Sequence, residues 1–593
     1  MIQLPIFTGR CVHFVLLLLF SFASIVLVAP SASAQWATDA MVNNAIADRV
    51  SEQVTPKISP TPDGGCYVAW FDLAAGSYDV YLQRIDAQGV EAWAHNGVLV
   101  SDQPQDTSLV DWDILTDSSG ACVVVFTDTR AGGDRDVYAY RVLPDGTMAW
   151  GANGIAISAD AGFEAAPQVA ELTTGDFIVS WFQESSAGIR AQRIDPTGQV
   201  QYAPGGIKIG GAAGEVASFC QVVASDAGSY IVSFVRDISS FFSPRHVHVQ
   251  KFDATGAPQW GATPVVVYSA ASIPIAQTPK LGSDGAGGAI VTWHVAPTTM
   301  FNAHVQHVDA TGAALFPTNG VTVSTDATRN HLDPSFVHDP ATGDTLVFWN
   351  ERNSGQSQWG IRGQKIDLSG QRQWGNTGVS LLPLDATLKF APRAVAALGP
   401  GPSDFGAMVF VIDEPTGVFG QNRVVGMRVD GTGAAVWPGQ PLGVSTLLSP
   451  KARLPVTLAA DGAALCIWED GRSGAPDVYG QRVDLDGQLG PGNPPASFLF
   501  IRGQCNEDSA FNIADAIRLL GFLFPGANPA DPLPCPDACD SNDDGAVNIA
   551  DAISMLSALF GSPPTSPAAP FPSCGTDPTG GDPLDCPVAA ACP

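Results

Sequence analysis

The stretch 466–487, CIWEDGRSGAPDVYGQRVDLDG, decides the fold. A short apolar run, 463–468, leads into a charged turn, and a second run follows that ends in Gln481, Arg482, Val483 and Asp484, with Gly487 three residues on. Both runs have strand length, are rich in β-branched and aromatic residues, and are bounded by Gly, Asp and Pro. That is the pattern of two antiparallel strands and their turns. The first run is apolar on both alternating sets of residues, so both faces of its sheet should be covered.

The unit recurs through most of the chain. The aromatic closing the first run aligns as Trp70, Phe126, Trp181, Phe234, Trp293, Trp349, Phe410 and Trp468, at intervals of 53 to 61 residues. The second run returns as DVYLQRID ending at Asp86, IRAQRID at Asp195, HVHVQKFD at Asp253, IRGQKID at Asp367 and VVGMRVD at Asp430, among others. After the turn Gly several copies carry an aromatic and then Asn-Gly or its relic: Trp93 with Asn96-Gly97, Trp150 with Asn153-Gly154, Phe316 with Asn319-Gly320, Trp374 with Asn376 and Gly378. A further apolar run follows each of these, and another precedes each aromatic, as in Pro56-Lys57-Ile58 and Pro167-Gln168-Val169. Four strands repeated eight times predict a mainly β chain built as an eight-bladed β-propeller over 35–487. A solenoid fits less well, since β-solenoid repeats are usually shorter and no helix pattern is interleaved.

The last copy stops at Gly487, without its aromatic, Asn-Gly and final strand. The segment QWATDAMVNNAIAD, 35–48, carries an aromatic, Trp36, and a run like the missing piece. Residues 36–48 are therefore expected to supply the outer strand of the last blade, removing a free sheet edge that invites aggregation. Cys66 and Cys122 sit at equivalent positions in neighbouring blades. Packed sheets stand about 10 Å apart and a disulfide needs Cα atoms within ~7 Å, so these two are expected to be free thiols.

Composition is that of a folded protein, with 45% hydrophobic and 15% charged residues. The balance of 29 Lys and Arg against 58 Asp and Glu, a net charge of -29, sets aside a nucleic-acid role. Residues 1–34 read as a signal peptide: Arg10, an apolar core over 14–28, and Ser31-Ala32-Ser33-Ala34 before Gln35. An uncleaved anchor is disfavoured because that core is short for a span. No other stretch approaches spanning length, so a secreted or cell-envelope protein without a membrane span after cleavage is expected. Of the eleven cysteines, Cys505, Cys535, Cys539, Cys574, Cys586 and Cys592 crowd the end of the chain. In an exported protein they read as a disulfide framework with 15 possible pairings. Those in the repeats read as small core residues.

A Gly- and Pro-rich linker, 488–499, separates the repeats from a stretch of different character. Asp540, Asn542, Asp544, Asn548 and Asp551 stand at positions 1, 3, 5, 9 and 12 of a loop with Gly545 at position 6 and the Ala546 carbonyl at position 7. This spacing suits Ca²⁺, because alternate residues of a tight loop point inward. Ile553, Leu556, Leu559 and Phe560 follow at helical spacing. A poorer copy begins at Gln504, with Asn506, Asp508, the Ala510 carbonyl, Asn512 and Asp515, followed by Ile517, Leu520, Leu523 and Phe524. Ser509 stands there in place of the Gly. With three charged ligands against two, the later loop is expected to bind the more tightly.

Residues 500–561 thus resemble a type I dockerin, and the phrases FIRGQCN, NIADAI and CGTDPTGGDPLDC are similar to C-terminal modules of secreted proteins in planctomycete-type bacteria. The resemblance implies a small α-helical, calcium-dependent module and docking to a cohesin-like or cell-surface protein. Positions 10 and 11, often Ser or Thr in cohesin binders, are Ile513-Ala514 and Ile549-Ala550, so calcium carries over more directly than cohesin. A Pro- and Cys-rich tail, 562–593, completes the chain.

Acids follow the blade aromatics at Asp72, Asp128, Glu351, Glu469 and Asp470, with Arg130, Arg352 or Arg472 nearby. Because a catalytic pair is needed once and this feature recurs, they are expected to form blade-to-blade or turn-closing ion pairs rather than cleave glycosidic bonds. His246, His248, His304 and His307 read as strand-surface residues rather than a metal site. No nucleophile elbow, phosphate loop, H-E-x-x-H or dinucleotide fingerprint stands in a supporting context. The expectation is a secreted binding or scaffold protein whose propeller takes a ligand or glycan, with no catalytic residue assigned. The alternatives are a polysaccharide-degrading hydrolase or lyase with the propeller as catalytic domain, and a purely structural envelope protein.

Overall fold

A computed structural model describes residues 35–103, 111–158, 160–210, 215–238, 244–275, 277–398, 405–491, 500–506, 508, 510–524, 533, 535–562 and 566–575. The expected signal peptide, most of the linker, Ser509, Cys586 and Cys592 lie outside them. Eight antiparallel sheets follow one another along the chain, so the eight-bladed propeller is the architecture found. The first seven are four-stranded meanders over 53–101, 113–156, 164–209, 215–268, 280–322, 329–385 and 389–449. The first strands of successive sheets touch one another and so surround the central channel. The aromatic-bearing run is the second strand of each sheet. All eight of its aromatics are fully buried, as the two-sided apolar character of the run requires.

In the last sheet the fourth position is taken by Asn44–Ala47, which pairs antiparallel with Asp477–Val483, Asn44 opposite Gly480 and Ala45 opposite Tyr479. Trp36, Ile46 and Ala47 share a buried cluster with Leu465 and Ile467 of that sheet and Cys66, Val68 and Trp70 of the first. Polar contacts run alongside. The Gln481 amide donates to the Ala37 carbonyl at 2.6 Å and Arg472 donates to the Val42 carbonyl at 2.7 Å.

A second device joins the sheets at their outer turns. The aromatic after each turn crosses to the turn Gly of the next sheet, and its ring N–H, where it has one, donates to a carbonyl of that turn. Trp93 reaches Pro144 O, Trp150 Pro196 O at 3.1 Å, Trp260 Ala310 O at 2.9 Å, Trp374 Gly431 O at 3.2 Å and Trp437 Leu485 O at 2.8 Å. Tyr202 and Phe316 hold the same place against Gly256 and Gly370. Between the last sheet and the first it is Trp36, whose backbone N–H donates to Gln88 O at 2.9 Å beside Gly89. Each such Gly lies at positive φ, and a Cβ at Gly312 (φ +86) would stand 2.6 Å from Trp260 Cγ. Gly312→Ala is expected to cost roughly 2–4 kcal/mol, combining left-handed strain with overpacking. Gly132→Ala, with φ +85 but open space around it, should cost only the strain, about 1–2 kcal/mol. Urea unfolding of the pair checks this, and equal losses would remove the aromatic from the account.

The four repeat cysteines are buried free thiols, and burial pushes the Cys66 thiol well up. In the C-terminal stretch Cys505 pairs with Cys539, and Cys535 and Cys574 are also in disulfides. Helices Ile513–Leu523 and Ile549–Phe560 pack together through Ala516, Leu519, Ala552 and Met555. The inward face is therefore one residue out of step with the spacing read from sequence, because Ile517, Phe524, Ile553 and Phe560 are exposed. Arg502 is fully buried beneath them. It donates to the carbonyls of Ala569 at 2.7 Å and Asp540 at 2.8 Å, and pairs with Asp537 and Asp543. Among the described residues no helix is long and apolar enough to cross a membrane.

Candidate functional site

The channel is shaped by a defect repeated in the innermost strands. Thr55, Ala166, Phe219, Asp333, Ala391 and Arg453 all have positive φ, between 46° and 54°. In the first five of these strands the pairing register shifts at that point, the signature of a β-bulge. Pro follows the bulged residue at 56, 167, 334 and 392. Non-Gly residues held in this region are strained, and the ring supports six of them facing one another around one axis.

Polar side chains of the innermost strands tie each blade to the next. Ser59 Oγ accepts the Thr116 N–H at 2.7 Å, Asp113 that of Val169 at 3.1 Å, Gln221 that of Leu281 at 2.8 Å, and Ser335 that of Ala394 at 3.0 Å. Burial raises Asp113 to about 6, against the pull of Lys57 and the Val169 N–H. This carboxylate serves the ring rather than a substrate.

Two cavities of about 420 Å³ each open into the channel and share Arg393. One is lined by Gln277, Thr278, Lys280, Thr292, His294 and Asp333 among others. The other includes Thr55, Lys57, Asp111, Trp112 and Arg453. In the second the charges other than the shared Arg393 are matched: Lys57 pairs with Asp111 at 2.8 Å, and Arg453 with Glu469 at 2.9 Å. Its Trp112 is buried, stacked on Phe71, with Nε1 bonded to Thr55 O, and offers no free ring face. In the first cavity Lys280 and Arg393 have no carboxylate within ion-pair distance among the described residues. Burial, then the Arg393 charge, pushes Lys280 down to about 7, with Asp333 opposing. Burial also lowers His294 to about 4. His294 is therefore neutral at pH 7, and its Nδ1, 3.8 Å from the Asp333 carboxylate, accepts the Asp333 N–H at 3.2 Å rather than forming an ion pair.

The depressed Lys280 carries a sign that stability measurements can read. Below pH 7 the folded chain bears the full penalty of a buried, repelled ammonium. Between pH 7 and the ordinary lysine value the unfolded state binds the extra proton, so stability rises with pH. Lys280→Met is expected to be the more stable at pH 6, with the gap closing towards pH 10. Parallel melting curves at several pH values check this, and a constant difference would refute it.

The acids after the blade aromatics are engaged, as their recurrence implies, some closing turns and Glu469 accepting the Thr55 N–H of the next blade at 2.7 Å. Asp128 pairs with Arg130, and Asp470 with Arg472, each at 2.6 Å. Those guanidinium groups lie 3.8 Å over Tyr138 and 3.9 Å over Tyr479. Asp470 also takes the Trp468 ring N–H at 2.9 Å, while Glu351 stands 3.4 Å from Arg362. Three of the four histidines need correction, since only His246 is half-exposed on its strand. His248, His304 and His307 are 2%, 8% and 4% exposed. His304 stacks on Trp293 and His248 on Phe234, and His307 reaches Asp284 at 3.1 Å. Their strands are covered on both faces by neighbouring blades, which alternation within one strand does not reveal. Lys280 and Arg393 were missed. Their signal is positional: each follows an innermost-strand Pro, at the place Lys57 holds in Pro56-Lys57-Ile58.

The C-terminal loops share one geometry. Buried Asp540 accepts the N–H groups of Asp543 at 3.0 Å, Asp544 at 3.3 Å and Gly545 at 2.8 Å, and Asp543 and Gly545 take positive φ. Asp551 accepts from Asn542 and Asn548 and meets the Asp540 carboxyl. Asp544 accepts from the Asn542 amide at 2.9 Å and from the Ala546 N–H. The earlier loop repeats these contacts with Asp515, Asn506, Asp508 and Ala510. Asn512 and Asn548 are helix N-caps, each accepting the N–H two residues on and donating to the carbonyl at position 7. Among the described residues no three His, Cys, Asp or Glu side chains gather closely enough to form a metal cluster. A cation in these loops would be held by a mixed set of carboxylate, amide and carbonyl oxygens. That donor set fits a hard ion, and two buried carboxyls in contact, with buried Gln504 Oε1 lacking a partner among the described residues of the earlier loop, are in keeping with one.

No family model matches the chain, and no curated protein matches it. Among solved structures it is similar to the Dos1 propeller, at 12% identity and a TM-score of 0.42 over 77% of this chain and 96% of that one. It is also similar to the polysaccharide lyase Uly1, at 12% identity and a TM-score of 0.36 over 75% and 91%. A third similar structure is an alpha-L-arabinanase of Penicillium chrysogenum, at 12% identity and a TM-score of 0.28 over 55% and 94%. Likeness at this level carries no functional reading.

Proposed function

We propose that this is an exported binding protein, in which the propeller channel receives a soluble ligand or glycan and the C-terminal module, stabilised by Ca²⁺, docks to a cohesin-like or cell-surface protein. The observation that carries the reading is the lining of the channel. Each cavity has one carboxylate in its wall, Asp333 or Asp111, whereas glycoside hydrolysis needs two flanking one bond. The acids that recur around the ring are engaged in turns, in cross-strand pairs and in blade-to-blade contacts. Asn44–Ala47 in the last sheet acts as the clasp of the ring, which keeps the channel shape fixed. Docking is supported by matching exposed residues on the two helices, Ile513 with Ile549, Ile517 with Ile553 and Phe524 with Phe560.

Electrophoresis of the mature chain through gels containing soluble polysaccharides, with product analysis of the same mixtures, tests the reading. Retardation without cleavage supports it. Product release that is lost in Asp333→Asn or Asp111→Asn would replace it with the hydrolase or lyase alternative.

A further inference from the structure

Lys280 and Arg393 come from the fifth and seventh blades and line one cavity, with the sixth blade contributing Asp333 between them. Among the described residues the Arg393 guanidinium makes one hydrogen bond, to its own neighbour's carbonyl at Pro392, at 3.1 Å. The Lys280 ammonium makes none. The contrast with Lys57 and Arg453, each on a carboxylate in the adjoining cavity, shows that the channel can pair its cations and here does not. In a chain of net charge -29, two unpaired cations in one enclosed space amount to a placed positive field. Asp333, whose carboxylate is half exposed, offsets one of the two charges at most.

The rest of the wall is uncharged, part polar and part apolar. Thr292 is fully buried and its hydroxyl has no partner. The Gln277 amide lies against His294. Pro274, Ile275 and Pro334 supply apolar surface, but no Phe, Tyr or Trp ring is among the lining residues to stack on a base or a flat ring.

We propose that the cavity between Lys280 and Arg393 is an oxyanion site, which takes a carboxylate or sulfate group carried on a hydroxylated, non-aromatic ligand such as an acidic sugar. This rests on the binding reading above and names its ligand class. The planar guanidinium grips two oxygens of such a group, while the ammonium acts as a point charge beside it. Thr278, half-buried in the same wall, is placed for a neighbouring hydroxyl. Bringing in the anion compensates two half-buried like charges that otherwise oppose each other.

Calorimetry on the mature chain with a uronate trisaccharide, a sulfated trisaccharide, their neutral counterpart and inorganic sulfate tests the site. At least one anionic sugar is expected to bind ten-fold or more tightly than the neutral one, with inorganic sulfate competing. Lys280→Met and Arg393→Gln should each weaken that binding ten-fold or more, and Lys208→Met, on an outer strand, less than two-fold. Preference for the uronate or for the sulfated sugar identifies the natural oxyanion. Urea melts of the two variants should match or exceed the parent, since each removes a repelled charge, so lost binding is not lost folding. Neutral and anionic sugars bound equally would overturn the oxyanion site and leave the binding reading standing. No binding of any probe would overturn both, and anion binding indifferent to both variants would move the site elsewhere.

Discussion

Deleting residues 35–48 is expected to lower the unfolding free energy of the propeller by 5 kcal/mol or more and to convert the chain to oligomers or aggregates. Trp36 and Ile46 are 2% and 1% exposed, and truncating a buried Trp or Ile typically costs about 3–5 or 2–5 kcal/mol. Their loss opens the cluster that the last sheet shares with Cys66, Val68 and Trp70 of the first. It also bares the backbone of Asp477–Val483, a full-length strand with no partner on that side. The deleted segment closes a contact more than 400 residues long, so any element that holds the two ends together removes a large loop-closure cost. Light scattering and urea unfolding of the truncated chain check this. Trp36→Ala with the strand retained should give a monomer less stable by about 3–5 kcal/mol. A truncated chain that stays monomeric with an unchanged midpoint would show that the eighth sheet needs no fourth strand.

The number and order of the blades were legible because each repeat writes its core twice, once in the fully buried aromatic and once in the turn Asp and Gly. The incomplete copy at Gly487 pointed to Trp36, and the structure sets Trp36 against Gly89 as Trp150 stands against Gly198. What the aromatics touch was not legible. Their partners are glycines of the next repeat, and a repeat aligned only with itself gives no sign of contacts that cross to its neighbour. The histidines failed for a related reason: whether His304 meets water or Trp293 depends on the strand and the blade beside it. The channel cations were hidden by chemistry rather than distance. Lys57 and Lys280 occupy the same register and look alike in sequence, yet one has Asp111 beside it and the other faces Arg393. Only the ring of neighbours separates a structural pair from an unpaired charge. The C-terminal loops were more legible, since position within the loop sets the backbone contacts, although the capping roles of Asn512 and Asn548 compete with the ligand role that spacing gives them.

That competition decides how the calcium proposal is to be tested, because the loops are well bonded by their own hydrogen bonds. Asp540 holds three backbone N–H groups, and Arg502 fastens the same turn through the Asp540 carbonyl. Asp540→Ala would loosen the turn with or without metal, so a loss of stability alone would say nothing of calcium. Asp540→Asn keeps an oxygen acceptor for the N–H groups and removes the charge. Its expected signature is near-parent stability in chelator and a calcium affinity lower by ten-fold or more, read by calorimetry. In the parent, calcium at a hundred times its dissociation constant should add about 2.7 kcal/mol to the unfolding free energy of the C-terminal module. The earlier loop offers the converse experiment. Gln504 occupies the place of Asp540, is 6% exposed and leaves its Oε1 without a partner. Gln504→Asp gives that loop a third carboxylate, so it should destabilise the module in chelator, where a buried charge stands unpaired, and tighten calcium binding at that loop. A module whose melting ignores calcium in the parent and in Gln504→Asp alike would make both loops hydrogen-bonded turns and nothing more.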